Sequence, residues 1–208
     1  SNIGLPVPPG FTITTEVCSA YYAAKRKLPA GLMDGVKAAM ADVEKDLGKK
    51  FGDAADPLLV SVRSGAKFSM PGMMDTILNL GLNEQTLKGL TKISGNERFV
   101  LDAYRRFIMM FSDVVLDIPK HSFEEIFNRT KARMHVKQDT EVDAAHLRQV
   151  CDEFLLLVEK KLGKPFPSDP YTQLEMAIEA VFRSWNNDRA IVYRRTEKIP
   201  DDIGTAVN

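Results

Sequence analysis

The chain has 208 residues, 44% hydrophobic and 27% charged, enough for one ordinary domain or one and a half, which argues against disorder, a collagen-like repeat or a small disulfide scaffold. Lysine plus arginine equal aspartate plus glutamate at 28 each, so no single-signed field attracts polyanions, and neither nucleic acid nor acidic lipid is expected as a partner. The longest apolar clusters, Phe107–Phe111 and Phe154–Val158, fall far short of the roughly 20 residues that a spanning helix needs, and no secretory signal is visible. Cys18 and Cys151 belong to no CxxC pair, which fits reduced, packed thiols and a cytoplasmic location. Organelle import stays compatible with this, since a transit peptide would precede Ser1. The start at Ser1-Asn2 reads as a cleaved-tag scar and Asn208 lies inside an apolar, strand-like run, so both ends read as cut.

In chain order, Gly10–Thr15 alternates apolar and hydroxyl residues as a half-buried strand does. A helix follows, with Thr15 as its cap, Glu16 in the first turn, and Val17, Tyr21, Ala24 and Leu28 at helical spacing. A second helix after Pro29 carries Leu32, Val36, Met40, Val43 and Leu47 on one face and stops at Gly48. Leu58–Arg63 predicts a strand, and the alternation of Leu78, Leu80 and Leu82 predicts another. From Val60 to Asn83 the only charges are Arg63, Lys67 and Asp75. This charge-poor stretch holds Gly65, Pro71, Gly72, Met70, Met73 and Met74 and has no sustained helical period.

After Asn83 the pattern is helical for about a hundred residues. Asn83 caps a short helix through Leu90, and Asn96 caps a long one with Phe99, Ala103, Phe107, Phe111 and Val114 as its buried stripe. Ser122 and Glu125 form a capping box for the next. Asp143 starts a helix bearing Leu147, Cys151, Phe154, Val158 and Leu162 that Gly163 stops. Asp169 and Pro170 start a fifth, with Leu174, Ile178, Val181 and Trp185 inward. A short helical turn is expected around Arg189–Arg195, and Gly204–Asn208 reads as the start of a strand. Strand signals at the two ends with a helical block between predict an α/β (α+β) lobe of residues 1–83 and 188–208, interrupted by an all-helical subdomain of residues 84–187.

His121, His135 and His146 lack the i, i+4 spacing of a zinc pair and read as surface or cap residues, so no metal ligands are assigned. Ser64-Gly-Ala-Lys67 matches the Ser-x-x-Lys element of penicillin-recognising enzymes, but the accompanying Ser-Asp-Asn and Lys-Thr-Gly elements are absent. Neither the GxxxxGK[ST] nor the GxGxxG phosphate cradle occurs. What remains is Ser61–Thr76. There Arg63 ends a strand, Ser64 and Gly65 let a ligand approach the backbone, Lys67, Ser64, Ser69 and Thr76 add donors, and Pro71-Gly72 forms a turn on which a methionine-rich lid can hinge. Two readings stand at this point: a phosphate site centred on Arg63, or a tight turn with Arg63 in a structural ion pair.

The stretches Gly4–Thr15, Ser61–Ala66, Ser69-Met-Pro-Gly-Met-Met-Asp-Thr76 through Asn83, Tyr104-Arg-Arg-Phe107, Val181–Trp185 and Gly204–Asn208 together closely resemble the nucleotide-binding domain of the pyruvate, phosphate dikinase family, over nearly the whole chain. The Met-Pro-Gly-Met-Met-Asp-Thr run separates that family from the related phosphoenolpyruvate synthase-like dikinases, which form an alternative. A helical docking module for partner domains or a regulator is a second one. The resemblance implies the first lobe of an ATP-grasp fold with an inserted helical subdomain. It also implies a phosphotransferase that converts ATP, phosphate and pyruvate to AMP, pyrophosphate and phosphoenolpyruvate, with magnesium and a phosphohistidine on a mobile domain. By the same resemblance Arg63 contacts the ATP phosphates and stabilises the phosphoryl group in flight, with Ser64, Gly65, Gly72, Met73, Asp75 and Thr76 around the nucleotide and Ser69–Thr76 as the lid. Arg105 and Arg106 are implied on the surface where the phosphohistidine domain docks. The glycine-rich segment and lysine ahead of Ile3, the magnesium ligands of the second lobe, the phosphohistidine domain and the pyruvate-binding barrel are not in the sequence. The fragment alone is therefore expected to be inactive, and the full-length enzyme to be a homodimer.

Overall fold

A computed structural model describes residues 7–65, 70, 72 and 74–208. Among these residues the protein is mixed α/β, with eight α-helices and two small sheets: α1 Thr15–Ala23, α2 Leu32–Leu47, β1 Lys50–Phe51, β2 Pro57–Leu58, β3 Val60–Arg63, β4 Thr76–Leu80, α3 Glu84–Ser94, α4 Glu97–Val114, α5 His121–Met134, α6 Ala144–Leu162, α7 Pro170–Ser184 and α8 Asp188–Thr196. β1 pairs with β2 and β3 with β4. The chain divides into two compact units, one made of the described residues of Ser1–Phe51, Val62–Thr76 and Ile178–Asn208, the other of Gly52–Ser61 and Ile77–Ala177.

In the first unit, α1 buries Cys18 and Tyr21. It ends at Ala23, because Lys25 and Arg26 adopt left-handed backbone (φ 56 and 63), so Ala24 and Leu28 lie beyond the helix that their spacing predicted. Thr14 rather than Thr15 holds the cap position, without a side-chain cap bond. α2 buries Val36, Met40 and Val43 and stops at Gly48 with φ 66, as a C-terminal glycine does. Tyr21 meets Phe182 at 5.5 Å between ring centroids, and the Tyr22 hydroxyl donates to the Phe182 carbonyl at 2.7 Å. Met70, Trp185 and Ile199 form a satellite cluster edged by Tyr22, Met74, Tyr193 and Ile203. Beside it Arg194, only 1% exposed, stacks 4.2 Å over the Trp185 ring and donates to Asp201, Asn186 and the Trp185 carbonyl. Each of the three guanidinium nitrogens thus has a hydrogen-bond acceptor, as burial of a charge demands.

The second unit is built on the packing of α4 against α6, with α5 against α6 and α3 against α4. Asn83 caps α3 through the Gln85 and Thr86 amides, and Thr86 returns the bond in a capping box. Asp143 caps α6 through the His146 amide and Gly163 ends it with φ 69, both as the sequence predicts. Gln173, fully buried, joins three backbone groups: its Nε2 donates to Leu82 and Pro167 carbonyls and its Oε1 accepts from the Gly81 amide. Three expectations are corrected here. The buried stripe of α4 is Val100, Leu101, Tyr104, Phe107, Ile108 and Phe111, while Phe99 is 62% exposed, because the wide apolar arc is turned by about one residue. α5 begins at His121 with no side-chain cap; the Lys120 amide donates instead to Asp113 at 2.9 Å, so Ser122 and Glu125 form no capping box. β4 ends at Leu80 and buries Ile77 and Leu80, because Asn79 sits at φ 60 and breaks the simple alternation of Leu78, Leu80 and Leu82.

Candidate functional site

β3 alternates as a half-buried strand does, with Val62 inward and Ser61 and Arg63 exposed. Beyond it the chain runs against the C-terminal residues. The Arg63 amide donates to the Asn208 carbonyl at 3.0 Å, the Asn208 amide to the Arg63 carbonyl at 2.9 Å, and the Gly65 amide to the Ala206 carbonyl at 2.8 Å, with Ser64 opposite Val207. On the other side of Val207, Ile13 exchanges both backbone bonds with it at 2.7 and 2.9 Å. Buried Ile13 and Val207 point to the core, so the period of two turns Thr12, Asn208 and Arg63 to the opposite face as one cross-strand row. The Thr12 hydroxyl donates to Asn208 Oδ1 at 2.8 Å. A Cβ at Gly65 would lie 2.4 Å from Asn208 Nδ2, so a side chain there would displace the Asn208 amide. Among the described residues the exposed Arg63 guanidinium forms no ion pair, so the structural-ion-pair reading of Arg63 has no partner there.

Gly72 is exposed with φ 72, and no atom of the described residues lies within 4 Å of where its Cβ would sit. Asp75 is half-buried; its amide meets Ser184 Oγ at 3.4 Å and its carboxylate lies 4.0 Å from Arg189. Thr76 opens β4 and is exposed. Met70 is buried on Trp185, and the Ser184 hydroxyl approaches the Met74 sulfur at 3.8 Å. Met73, and with it Lys67, Ser69 and Pro71, lie outside the described residues.

The expected surface pair of arginines is corrected. Arg105 is 3% exposed, donating from Nε and Nη2 to Asp102 and stacked on Phe127, while the Arg106 side chain is 61% exposed and meets the other Asp102 oxygen at 2.9 Å. His121 is exposed in the first turn of α5, His135 ends that helix at φ 58, and His146 Nδ1 lies 2.8 Å from Asp143. Among the described residues no three His, Cys, Asp or Glu side chains are grouped to hold a metal ion, and no helix is long and apolar enough to cross a membrane. Two open clefts lie elsewhere. One, of about 440 Å³, runs past Tyr22, Trp185, Arg194 and Arg195; the other, of about 560 Å³, runs past Tyr104, Glu159, Phe166 and Asp169. Arg63 lines neither. Sequence reasoning missed Thr12 and Asn208, since each sat in its own strand signal and nothing local joined them.

Residues 25–208 match the family described as pyruvate phosphate dikinase, AMP/ATP-binding domain, and the chain belongs to that family. It is 51% identical over 207 residues to pyruvate, phosphate dikinase of Clostridium symbiosum, covering 99% of this chain and 24% of the relative. It is likewise 51% identical over 210 residues to pyruvate, phosphate dikinase of Entamoeba histolytica (100% and 24%), and 50% identical over 208 residues to pyruvate, phosphate dikinase 1, chloroplastic, of Arabidopsis thaliana (100% and 22%). The chain thus spans about a quarter of the length of these relatives.

Proposed function

We propose that this chain is the first lobe of an ATP-grasp nucleotide-binding domain, with residues 1–83 and 188–208 as the α/β lobe and 84–187 as the inserted helical subdomain. The enzyme it serves converts ATP, phosphate and pyruvate to AMP, pyrophosphate and phosphoenolpyruvate through a phosphohistidine. The observation that carries this reading is Arg63: an exposed guanidinium at a strand end, without an ion-pair partner among the described residues, two positions from the Cβ-less Gly65. A planar fork of N–H donors suits two phosphate oxygens at once, and a fixed cation there stabilises charge on the transferring phosphoryl group. Ser64 and Gly65 let the phosphates approach the backbone, and the Ser69–Thr76 segment, with Gly72, Met73, Asp75 and Thr76, closes over them as a lid.

The described residues do not fit a resident magnesium site, since no cluster of carboxylates converges there, so no step is routed through a metal held by this chain. In this reading magnesium and its ligands belong to the second lobe. Arg106, exposed and braced by Asp102, is where the phosphohistidine domain docks. That domain, the pyruvate-binding barrel and a homodimeric assembly complete the enzyme. Two free, buried cysteines fit the reducing cytoplasm, and a relative named as chloroplastic makes organelle import compatible.

The test is titration of the full-length protein with a non-hydrolysable ATP analogue. Arg63→Ala is expected to weaken binding about 10- to 100-fold, the equivalent of about 1.5–3 kcal/mol for a charged hydrogen bond. Unchanged affinity would remove the basis of the reading.

A further inference from the structure

We infer that Asn208, oriented by Thr12, is a second phosphate-binding side chain beside Arg63, offering neutral amide N–H donors to the same anion; this rests on the reading of Arg63 as the phosphate-contacting cation. The two residues are neighbours in the cross-strand row, since Arg63 and Asn208 exchange both backbone hydrogen bonds, at 3.0 and 2.9 Å. A side-chain amide has an accepting and a donating end, and its usefulness to an anion depends on which end faces it. Here the Thr12 hydroxyl donates to Asn208 Oδ1 at 2.8 Å and occupies the accepting end. The donating end is turned the other way. Nδ2 lies over Gly65, close enough that a Cβ there would be 2.4 Å away, and it has no hydrogen-bond partner among the described residues.

The neighbours on that face are small. Gly65 has no side chain, Ala206 adds only a buried methyl group, and Asn208 stands directly beside Arg63 in the row, so an anion held by the Arg63 fork also reaches the amide N–H groups. Thr12 is the hydroxyl that sets the amide. Gly65 is then required twice over, for the approach of the ligand and for the seat of Asn208. A neutral donor next to a guanidinium adds geometric selection for a tetrahedral oxyanion without adding charge.

The experiment is calorimetric titration of the full-length protein with the ATP analogue AMPPNP, using variants at Asn208, Thr12 and Arg63 whose folding is checked by circular dichroism. Asn208→Ala is expected to weaken binding about three- to tenfold, as loss of one neutral hydrogen bond does, and Asn208→Asp to weaken it further because a donor becomes an anion. Thr12→Val, of equal size, frees the amide to turn over and should cost about threefold. Thr12→Ser should restore wild-type affinity, and Thr12→Val should add nothing in an Asn208→Ala background; a merely structural threonine would not show this pattern. Wild-type affinity in Asn208→Ala and Asn208→Asp together with a loss in Arg63→Ala overturns the inference alone. Wild-type affinity in Arg63→Ala overturns the phosphate reading and this inference with it. Should the Asn208 variants fail to fold, the Thr12→Val and Thr12→Ser pair decides, equal affinity in the two overturning the inference.

Discussion

Arg105 lies flat against Phe127, its guanidinium carbon 3.9 Å from the ring centroid, while Asp102 Oδ1 accepts from its Nε at 3.0 Å and its Nη2 at 2.7 Å. The ring covers the weakly hydrated face of the cation and the carboxylate satisfies its edge, which is how an arginine comes to be buried.

Truncating Arg105 leaves Asp102, whose side chain is 13% exposed, without its buried partner. Breaking such a pair costs about 3–5 kcal/mol, whereas an exposed pair is worth at most about 1 kcal/mol. Arg105→Ala is therefore expected to lower the urea midpoint strongly and Arg106→Ala only slightly, although both touch Asp102. Equal midpoints in the two variants would contradict the burial difference.

Gly89 sits inside α3, where alanine is normally better than glycine by about 1 kcal/mol. At this position a Cβ would lie 2.3 Å from the Ala54 carbonyl oxygen and 2.5 Å from that of Ala55. Backbone cannot swing aside as a side-chain tip does, so the clash outweighs the propensity gain. Gly89→Ala is predicted to destabilise the protein by at least about 1–3 kcal/mol in thermal or urea unfolding. A stabilised variant would show that the helix stands further from that loop.

Asp139 faces Lys131 at 2.8 Å and Arg105 at 3.5 Å. Burial raises its pKa, but the Lys131 hydrogen bond and the charges of Lys131, Arg105 and Arg106 outweigh burial and hold the carboxyl below its ordinary 3.8. A depressed folded-state value means that the stabilisation is present above 3.8 and is lost as pH falls below 3.8 through the folded value. The side chain is 42% exposed, so the contribution is screened and amounts to under about 1 kcal/mol. Wild type is expected to exceed Asp139→Asn in stability at neutral pH and to converge with it in acid; parallel pH profiles would refute the pairing.

Both thiols are fully buried and free. Burial pushes Cys151 up to about 12 and raises Cys18 as well. Because the thiolate is the reacting species, neither should modify appreciably with a thiol reagent at about pH 8 in the folded protein, and both should react in denaturant. A fast-reacting thiol in the native state would place one of them at the surface.

The helices were the legible part of the fold because their signals are local. Asp143 and Gly163 bound α6 within one residue of where caps predict, and Asn83 and Asn96 each accept from the first-turn amides they were expected to satisfy. The failures arose where a local signal was outbid. Ser122 has the right side chain for a cap, yet the Lys120 amide found Asp113, seven residues earlier, and the helix started at His121. Phe99 and Phe107 share a helical period, but the packing of α6 against α4 chose the neighbouring arc, leaving Phe99 in solvent. At the candidate site Arg63 and Gly65 were legible as a strand end followed by a Cβ-less position. Thr12 and Asn208 were not, since no spacing rule connects residues 12 and 208.

Local side-chain chemistry set the caps of α3, α4 and α6, the shortage of charge in residues 60–83 and, through long near-verbatim stretches, the family to which the chain belongs. These follow from backbone preferences acting over a few residues and from the identity of side chains. Tertiary structure alone decided that Arg105 would be sealed against Phe127 while Arg106 met water, and that Asn208 would lie beside Arg63. Such outcomes depend on hydrogen-bond register and on packing between segments far apart in the chain, and neither leaves a mark in the local order of residues.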